Sequence, residues 1–434
     1  MKEIFKTLIQ DFIQNPLPEV IERDITIPYE PNMIVSIVGA RRTGKTFLMF
    51  SLIKFLRKKI SADRLVYINL EDDRLWQNPQ LDISSFRDAY YELYPQNLDK
   101  KVWLFFDEVQ AVENWERFIR RLLDTENCYV YITGSSSSLM SKEISTLLRG
   151  RTLTVEVFPF SFKEYLRLRK IKEDTISTKG KTLLQSAFNE YLEGTSLPLI
   201  MNLEPYFRNN ALKDYLDLIL YKDIAERFKV DNYILLKRLL YFLISNSANL
   251  ISINKIYQDF HSQGITFSRN TLYQYISYLE LSGIIHLIPI FNNNIRIQAR
   301  NPYKVFAIDF GLRNLISLQP DKGRNLETMV YWELKRKNRQ IYYWKNGQET
   351  DFVFQSNQGI EIYNVFYAAN EVSTLNREIA SVLAAMKHFQ VNNATLITSS
   401  WEKEEKTENG LVKIIPFWRW AIEYGEKGFL HREH

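Results

Sequence analysis

Gly39-Ala40-Arg41-Arg42-Thr43-Gly44-Lys45-Thr46 fits the pattern G-x-x-x-x-G-K-[ST]. Each residue type in it answers a chemical need. Gly39 and Gly44 let the backbone take conformations that a Cβ resists, so successive N–H groups turn toward phosphate oxygens. Lys45 brings a point charge to the β- and γ-phosphates, and the Thr46 hydroxyl is a ligand for Mg²⁺. The flanks agree. Met33-Ile34-Val35-Ser36-Ile37-Val38 is a short apolar run of buried-strand type, and Phe47, Leu48, Phe50, Leu52, Ile53 and Leu56 recur at helical spacing before Arg57-Lys58-Lys59. A strand, a glycine loop and a helix together aim a helix N-terminus at an anion. The residues from Gly39 to Phe47 are therefore expected to bind ATP together with Mg²⁺.

A second signature lies downstream. Val102-Trp103-Leu104-Phe105-Phe106 is an apolar strand ending in Asp107-Glu108. In a parallel sheet such an acid stands at the carboxyl edge, where ligands of these folds bind. Asp107 is expected to hold Mg²⁺ through its water shell, and Glu108 to polarise the attacking water. Taken alone the pair would read as an acidic strand end facing solvent. Beside a phosphate loop it reads as catalytic.

Leu65 to Leu70, Tyr129 to Thr133 and Leu153 to Val157 are further strands, with helical patterns between most of them. The section reads as α/β with a parallel sheet. In enzymes of the ASCE arrangement an extra strand stands between the phosphate-loop strand and the acidic one, and that arrangement is expected here. Thr133 or Ser135 is then placed to sense the γ-phosphate, the alternative being a plain serine-rich turn. Arg149 and Arg151, before the fifth strand, are candidates for a finger on the γ-phosphate, with Arg151 preferred. A structural ion pair is the competing account.

Composition sets the frame. The 434 residues leave room for two or three domains, each with its own core. A balance of 56 Lys+Arg against 51 Asp+Glu gives +5, compatible with a nucleic-acid partner without requiring one. Cys128 is the only cysteine, which excludes an internal disulfide and a cysteine-built metal site. Five histidines, two of them in the last four residues, argue against a His-built zinc site. Met1-Lys2-Glu3-Ile4-Phe5-Lys6 carries charges where a signal peptide needs an apolar core, and no run approaches about 18 apolar residues. A cytoplasmic location away from membranes is expected.

The phosphate loop, Tyr67-Ile68-Asn69-Leu70-Glu71-Asp72, Phe105-Phe106-Asp107-Glu108-Val109-Gln110, Ile132-Thr133-Gly134-Ser135-Ser136, Leu148-Arg149-Gly150-Arg151 and Phe158-Pro159-Phe160-Ser161-Phe162-Lys163-Glu164-Tyr165-Leu166 occur in this order. The series resembles the predicted AAA+-type ATPases of bacteria and archaea that carry a C-terminal domain of unknown function. The resemblance covers nearly the whole chain. It implies an AAA+-like P-loop ATPase domain over 1–205, a helical, winged-helix-like middle over 206–300, and a PD-(D/E)XK nuclease-like α/β domain over 301–434. It implies no cellular task.

In the middle section, Ser252 to His261 and Ser268 to Ser282 look like a helix-turn-helix pair, Ser268 as N-cap and Gly283 as stop. Ile284 to Ile290 and then Ile295 to Ile297 are expected to form a β-hairpin wing. A DNA-recognition role for Ser268 to Ser282 meets a charge objection, because that helix has one cation, Arg269, and also Glu280. Arg296, Arg300 and Lys304 lie in or after the wing. Duplex DNA and a protein partner both stay open, as does a homo-oligomer, which a finger acting between copies would require.

In the last section a helix from about Asn325 to Lys337 contains Glu327, and Asp351 opens a strand. With Glu361 these would resemble the nuclease core, carboxylates holding Mg²⁺ and a lysine orienting water. Tyr363 stands where that lysine belongs, so a nuclease-like fold without cleavage is expected. Lys335 and Lys345 are the residues to which the lysine's role would have migrated.

Overall fold

The computed structural model describes residues 1–76, 83–134, 147–317, 319–337, 340–357, 359–367, 372–408 and 410–426. The chain divides into two compact units, Met1–Val157 and Phe158–His434. Residues 158–205 thus pack within the second unit, whereas the sequence placed them with the first. Their anchor is aromatic: Phe162 meets Phe417 at 5.7 Å, and Tyr165 meets Tyr191 at 5.0 Å between ring centroids.

In the first unit, α1 (Lys2–Gln14) precedes β1 (Ile34–Val38), α2 (Lys45–Leu56) and β2 (Leu65–Asn69). Then come α3 (Ser85–Leu93), β3 (Val102–Asp107), α4 (Trp115–Thr125), β4 (Cys128–Thr133) and β5 (Thr152–Glu156). The sheet order is β2-β3-β4-β1-β5, and every pairing is parallel. Apart from Ser36 and Asp107, β1 and β3 are apolar without alternation because both faces are covered, and all their residues are buried. Ile34, Val38, Leu104 and Phe106 pack on one face with α1, α3 and α4. Val35, Ile37, Phe105 and Tyr131 pack on the other with Leu48, Leu52 and Ile53 of α2. β4 lies between the β1 and β3 strands, as expected for the additional strand.

The second unit begins with α5 (Phe162–Leu168) and α6 (Thr178–Glu193). Ser161 and Glu164 cap α5 reciprocally, the Ser161 N–H donating to Glu164 Oε2 at 2.8 Å and the Glu164 N–H to Ser161 Oγ at 3.1 Å. α7 (Tyr233–Ser245), β6 (Asn249–Ile251), α8 (Ile253–Ser262), α9 (Arg269–Leu281) and β7 (Ile285–Ile288) follow. Ser268 caps α9 by accepting the Thr271 N–H at 3.0 Å, and Gly283 takes φ +73° just past its end. Both ends of that helix were read correctly.

The wing was not. Ile295–Arg300 forms α10, a short helix started by Asn294, whose side chain accepts the Arg296 N–H at 2.9 Å. β7 pairs instead with β8 (Tyr303–Ala307), Ile285 facing Ala307, and the three-stranded sheet runs β6-β8-β7. Residues beyond 300 therefore complete the middle section's sheet. The chain continues through α11 (Phe310–Ile316), α12 (Lys322–Lys335), β9 (Tyr342–Asn346), β10 (Gln348–Ser356), β11 (Gly359–Phe366), α13 (Val372–Phe389), β12 (Asn393–Thr398), β13 (Lys403–Thr407), β14 (Gly410–Pro416) and α14 (Phe417–Glu426). Their six-stranded sheet has the order β13-β14-β12-β11-β10-β9. Among the described residues no helix is long and apolar enough to cross a membrane.

Candidate nucleotide site and a second acidic cluster

The phosphate loop joins β1 to α2 at the carboxyl edge of the first sheet. A Cβ on Gly39 would lie 2.2 Å from the Val157 carbonyl oxygen, so the close approach of two chains demands glycine there. Gly44 has φ +96° and serves as the N-cap of α2. Arg42, between them, takes φ +61°. Lys45, 6% exposed, donates to the Gly39 and Ala40 carbonyls at 3.0 and 3.2 Å, and the Thr43 hydroxyl donates to Ala40 O at 2.8 Å. Phosphate oxygens would exchange for those carbonyls at little cost, because the ammonium already points into the loop. Phe47 begins the exposed side of α2 and meets Phe50 edge-on at 6.1 Å.

Asp107 is the hub of the site. Thr46 Oγ1 donates to its Oδ2 at 2.8 Å, and the Tyr67 hydroxyl donates to the same oxygen at 2.7 Å. Thr133 Oγ1 donates to Oδ1, and accepts the Glu108 N–H at 3.1 Å. A carboxylate oxygen accepts, so the three converging hydroxyls all act as donors. Burial, then the charge of Asp107, holds the Tyr67 phenol far above its usual range and keeps it a donor. Glu108 has φ +52°, a left-handed backbone uncommon for this residue, and its Oε2 accepts from Gln110 Nε2 at 2.6 Å. The two predicted magnesium groups, Thr46 and Asp107, thus touch, and the cradle admits no side chain at Gly39. These residues fit a nucleotide bound with Mg²⁺.

Two residues of this site went unread. Tyr67 sits on β2 in register with Phe105, two residues before Asn69, which pairs with Asp107. That offset on a neighbouring parallel strand was the available signal. Arg23 Nη1 donates to Thr43 O at 2.9 Å from the segment ahead of β1, and no motif marks it.

The arginine expectation is corrected. The Arg151 carbonyl accepts the Ile34 N–H at 3.0 Å, which places it at the amino end of β1. The phosphate loop leaves the other end, about 16 Å away for a five-residue strand. Arg151 cannot reach the nucleotide of its own chain, and its Nη1 pairs with Asp124. Arg149 shares a surface cleft of about 360 Å³ with Arg151, Arg117, Arg120 and Arg121. Ser135 lies outside the described residues.

A parallel sheet with a glycine loop, a buried strand-end aspartate and an adjoining glutamate defines a P-loop NTPase of the AAA type. A model described as AAA domain matches residues 31–166, and one for a domain of unknown function (DUF8612) matches 185–322. The uncharacterized protein MJ1544 of Methanocaldococcus jannaschii is 36% identical over 441 residues, spanning 98% of this chain and 96% of that one. The chain belongs to the same family as that protein, an AAA domain followed by DUF8612. An uncharacterized protein of Haemophilus influenzae is 26% identical over 401 residues, covering 91% and 95% of the two chains. Among solved structures, the Walker-type ATPase PABY2304 of Pyrococcus abyssi aligns over 73% of this chain and 95% of its own, with 14% identity and a TM-score of 0.36.

A second constellation lies in the second unit. Lys304 of β8 is buried, its ammonium 2.6 Å from Glu327 Oε1 on α12. The same ammonium is 2.7 Å from Asp351 Oδ1 and 3.2 Å from Glu349 Oε1, both on β10. Burial would lower the lysine's pKa, but Asp351, Glu327 and Glu349 outweigh it and hold it above the usual range. Burial, then the charge of Asp351, pushes Glu327 above the usual carboxylate range, against the pull of Lys304. Asp351 Oδ2 accepts the Val365 N–H at 2.8 Å, and its own N–H donates to Asn364 Oδ1 at 2.8 Å. Asn364 Nδ2 then donates to Glu378 Oε2 on α13 at 2.7 Å.

Glu361 and Tyr363, expected here, are elsewhere. Strand alternation turns them away from Asn364: the Tyr363 hydroxyl donates to Glu361 Oε2 at 2.8 Å, and its ring stacks on Phe354 at 5.6 Å. Of the two lysines considered, Lys345 pairs with Glu349 Oε2 at 3.2 Å on the exposed side, and Lys335 acts on His286. The buried cation is Lys304, contributed by a strand of the other sheet.

Proposed function

We propose that this chain is a Mg²⁺-dependent ATPase whose nucleotide state drives rearrangement of its second unit, which engages duplex DNA or a protein partner. The observation that supports hydrolysis most is the continuous chain of hydrogen bonds from Thr46 through Asp107 and Thr133 to the Glu108 amide. In this reading Lys45 and the loop amides from Ala40 to Phe47 bind and orient the phosphates. Thr46 and Asp107 would hold Mg²⁺, which supplies charge neutralisation on the β- and γ-phosphates. Glu108 orients the attacking water and takes its proton, and Thr133 couples any movement of the acidic strand end to β4.

The finer reading of the second unit is a winged helix, with α8 and α9 as the helix pair and β7–β8 as the wing, followed by a PD-(D/E)XK-like domain. Its cations are few: Arg269, over the Tyr257 ring at 5.1 Å, and Arg296 and Arg300 on α10. A homo-oligomer is the arrangement under which Arg151 keeps a role, reaching a neighbouring copy's nucleotide. A cytoplasmic location belongs to the same reading.

The second reading is a nucleotide-gated scaffold with little turnover. Phosphate release from ATP, measured with and without duplex DNA, separates them. Hydrolysis lost in both Lys45→Ala and Glu108→Gln, with ATP binding kept in Glu108→Gln, is the expected result. A rate that rises with DNA identifies the partner, and one indifferent to DNA points to protein. Equal rates in wild type and Glu108→Gln would remove the role given to that residue. No turnover in any condition favours the scaffold.

A further inference from the structure

The two sides of α4 differ sharply. Trp115, Phe118, Ile119 and Leu122 are buried in the first unit's core, whereas Arg117, Arg120, Arg121 and Asp124 succeed one another at helical spacing on the outer side. With Arg149 and Arg151 they line a cleft of about 360 Å³. Arg149 has φ +54° and Gly150 φ +73°, a tight turn that delivers both arginines to that cleft. The one carboxylate of the lining, Asp124, is engaged by Arg151. Among the described residues, Arg117, Arg120, Arg121 and Arg149 pair with no carboxylate. Arg120 Nε donates to the Glu116 carbonyl at 3.2 Å, and Arg121 lies over the Phe118 ring at 5.8 Å, contacts that orient the side chains without balancing their charge.

Arg117 and Arg121 stand one turn apart, about 6 Å along the axis. Like charges at that spacing destabilise a helix, and an anion in the cleft removes the repulsion. Three features select the anion. The cations are all arginine, whose planar fork grips phosphate oxygens two at a time. They are spread over a helix turn and an adjoining loop, so one phosphate reaches part of the set and a run of phosphates reaches all of it. Among the described residues the lining holds no aliphatic or aromatic side chain, only arginines, Asp124 and Thr125. A protein interface needs an apolar core, and a single strand needs aromatic faces for its bases to stack on. A duplex held by its backbone needs neither.

We propose that this arginine face of the first unit binds the phosphate backbone of duplex nucleic acid without regard to sequence. Arg117, Arg120, Arg121 and Arg149 hold the phosphates, and Arg151 stays with Asp124. None of these residues belongs to the phosphate loop or to the Asp107 network, so duplex binding and hydrolysis are read separately. Nothing in this surface depends on the helix pair of the second unit.

The full chain, without nucleotide, is titrated into labelled DNA duplexes of two unrelated sequences and a labelled RNA duplex, and fluorescence anisotropy is followed across a salt series. Binding of DNA, of RNA or of both is expected, equal for the two DNA sequences, and the difference between the arms names the source. Combining Arg117→Gln, Arg121→Gln and Arg149→Gln should weaken it by about 10-fold or more and lower the slope of log K against log salt by about 3, one for each phosphate contact. Arg117→Lys, Arg121→Lys and Arg149→Lys together keep the charge and should preserve most of that slope. Lys172→Gln, Lys179→Gln and Lys181→Gln remove the same charge from exposed positions of the second unit and should matter far less. Melting curves show which variants fold. Should the glutamine set not fold, Arg121→Gln alone takes its place, with an expected drop in slope of about 1. Unchanged affinity and salt slope in the glutamine variant overturn the proposal, and a hydrolysis rate that then falls only on concentration would assign the face to a neighbouring copy. A wild-type chain that binds no duplex overturns it too, as does a strong preference for one DNA sequence. A loss confined to Arg269→Ala, Arg296→Ala and Arg300→Ala would place duplex binding in the second unit, refuting this surface and keeping the proposed function.

Discussion

Thr46 at the start of α2 and Asp107 at the end of β3 are joined directly, Thr46 Oγ1 donating to Asp107 Oδ2 over 2.8 Å. β4 and β1 lie side by side in the sheet, so this bond spans from the phosphate loop across a whole strand. Tyr67 donates to the same oxygen from the far side, at 2.7 Å. Tyr67→Phe removes one hydrogen bond to a charged group, worth roughly 1.5–3 kcal/mol when fully expressed. Thr46 and Thr133 remain, so the expected outcome is a several-fold rise in the Mg²⁺ concentration for half-maximal ATP hydrolysis. A magnesium titration of the variant checks this, and an unchanged midpoint would take Tyr67 out of the site.

Arg151 lies at the amino edge of the sheet, paired with Asp124. Arg151→Ala should therefore leave ATP hydrolysis within about twofold of wild type at dilutions where the chain is monomeric, since an exposed pair contributes little. A tenfold loss at those dilutions would contradict its placement. A loss that appears only on concentration would show that it serves a neighbouring copy.

Lys304 balances three carboxylates in a buried setting. Removing one partner of a buried ion pair costs about 3–5 kcal/mol because the other is left uncompensated. Lys304→Met is expected to destabilise the second unit by that order. Adding Glu327→Gln and Asp351→Asn should restore much of the loss, because the stranded charges go too. Melting temperatures of the single and triple variants decide it, and a triple variant no more stable than the single one would refute the charge argument.

Burial pushes the Glu280 carboxyl up from 4.5 to about 7, with the Leu287 N–H bond as a partial offset. Between those values the folded chain keeps a proton that the unfolded chain releases, so this group's contribution declines as pH rises. It is fully present below pH 4.5 and lost as pH passes through about 7. Glu280→Gln should gain on the order of 2 kcal/mol relative to wild type at pH 8, and nothing at pH 4. Thermal melts at the two values provide the comparison. Parallel pH profiles for variant and wild type would rule Glu280 out as the cause.

The candidate nucleotide site could be assembled from the sequence because its residues are local. Gly39 to Thr46 are contiguous, and Asp107 with Glu108 closes a strand that any apolar run would announce. Arg151 was misplaced although the information was at hand: a residue just before a parallel strand lies at the amino edge, opposite the loops that hold ligands. The wing failed for a local reason, because Asn294 starts a helix where β-branched residues suggested a strand. Tyr363 failed by one residue of register, since a shift of one on a strand turns every side chain to the opposite face. Asn364, its neighbour, is the residue that reaches Asp351. Lys304 had no local signal at all. It lies 23 residues before Glu327 and 47 before Asp351 in the chain, and only the pairing of β8 between β6 and β7 brings it to them.

The origin of that lysine decides what can be cut from this protein. A fragment beginning after residue 322, where the match to DUF8612 ends, would keep Glu327, Glu349 and Asp351 and leave their counter-charge behind. The C-terminal sheet is thus not a transplantable module. Fusions, truncations or exchanges that divide the chain there would separate the acids from the cation that makes their burial tolerable, and the two sheets must be inherited together.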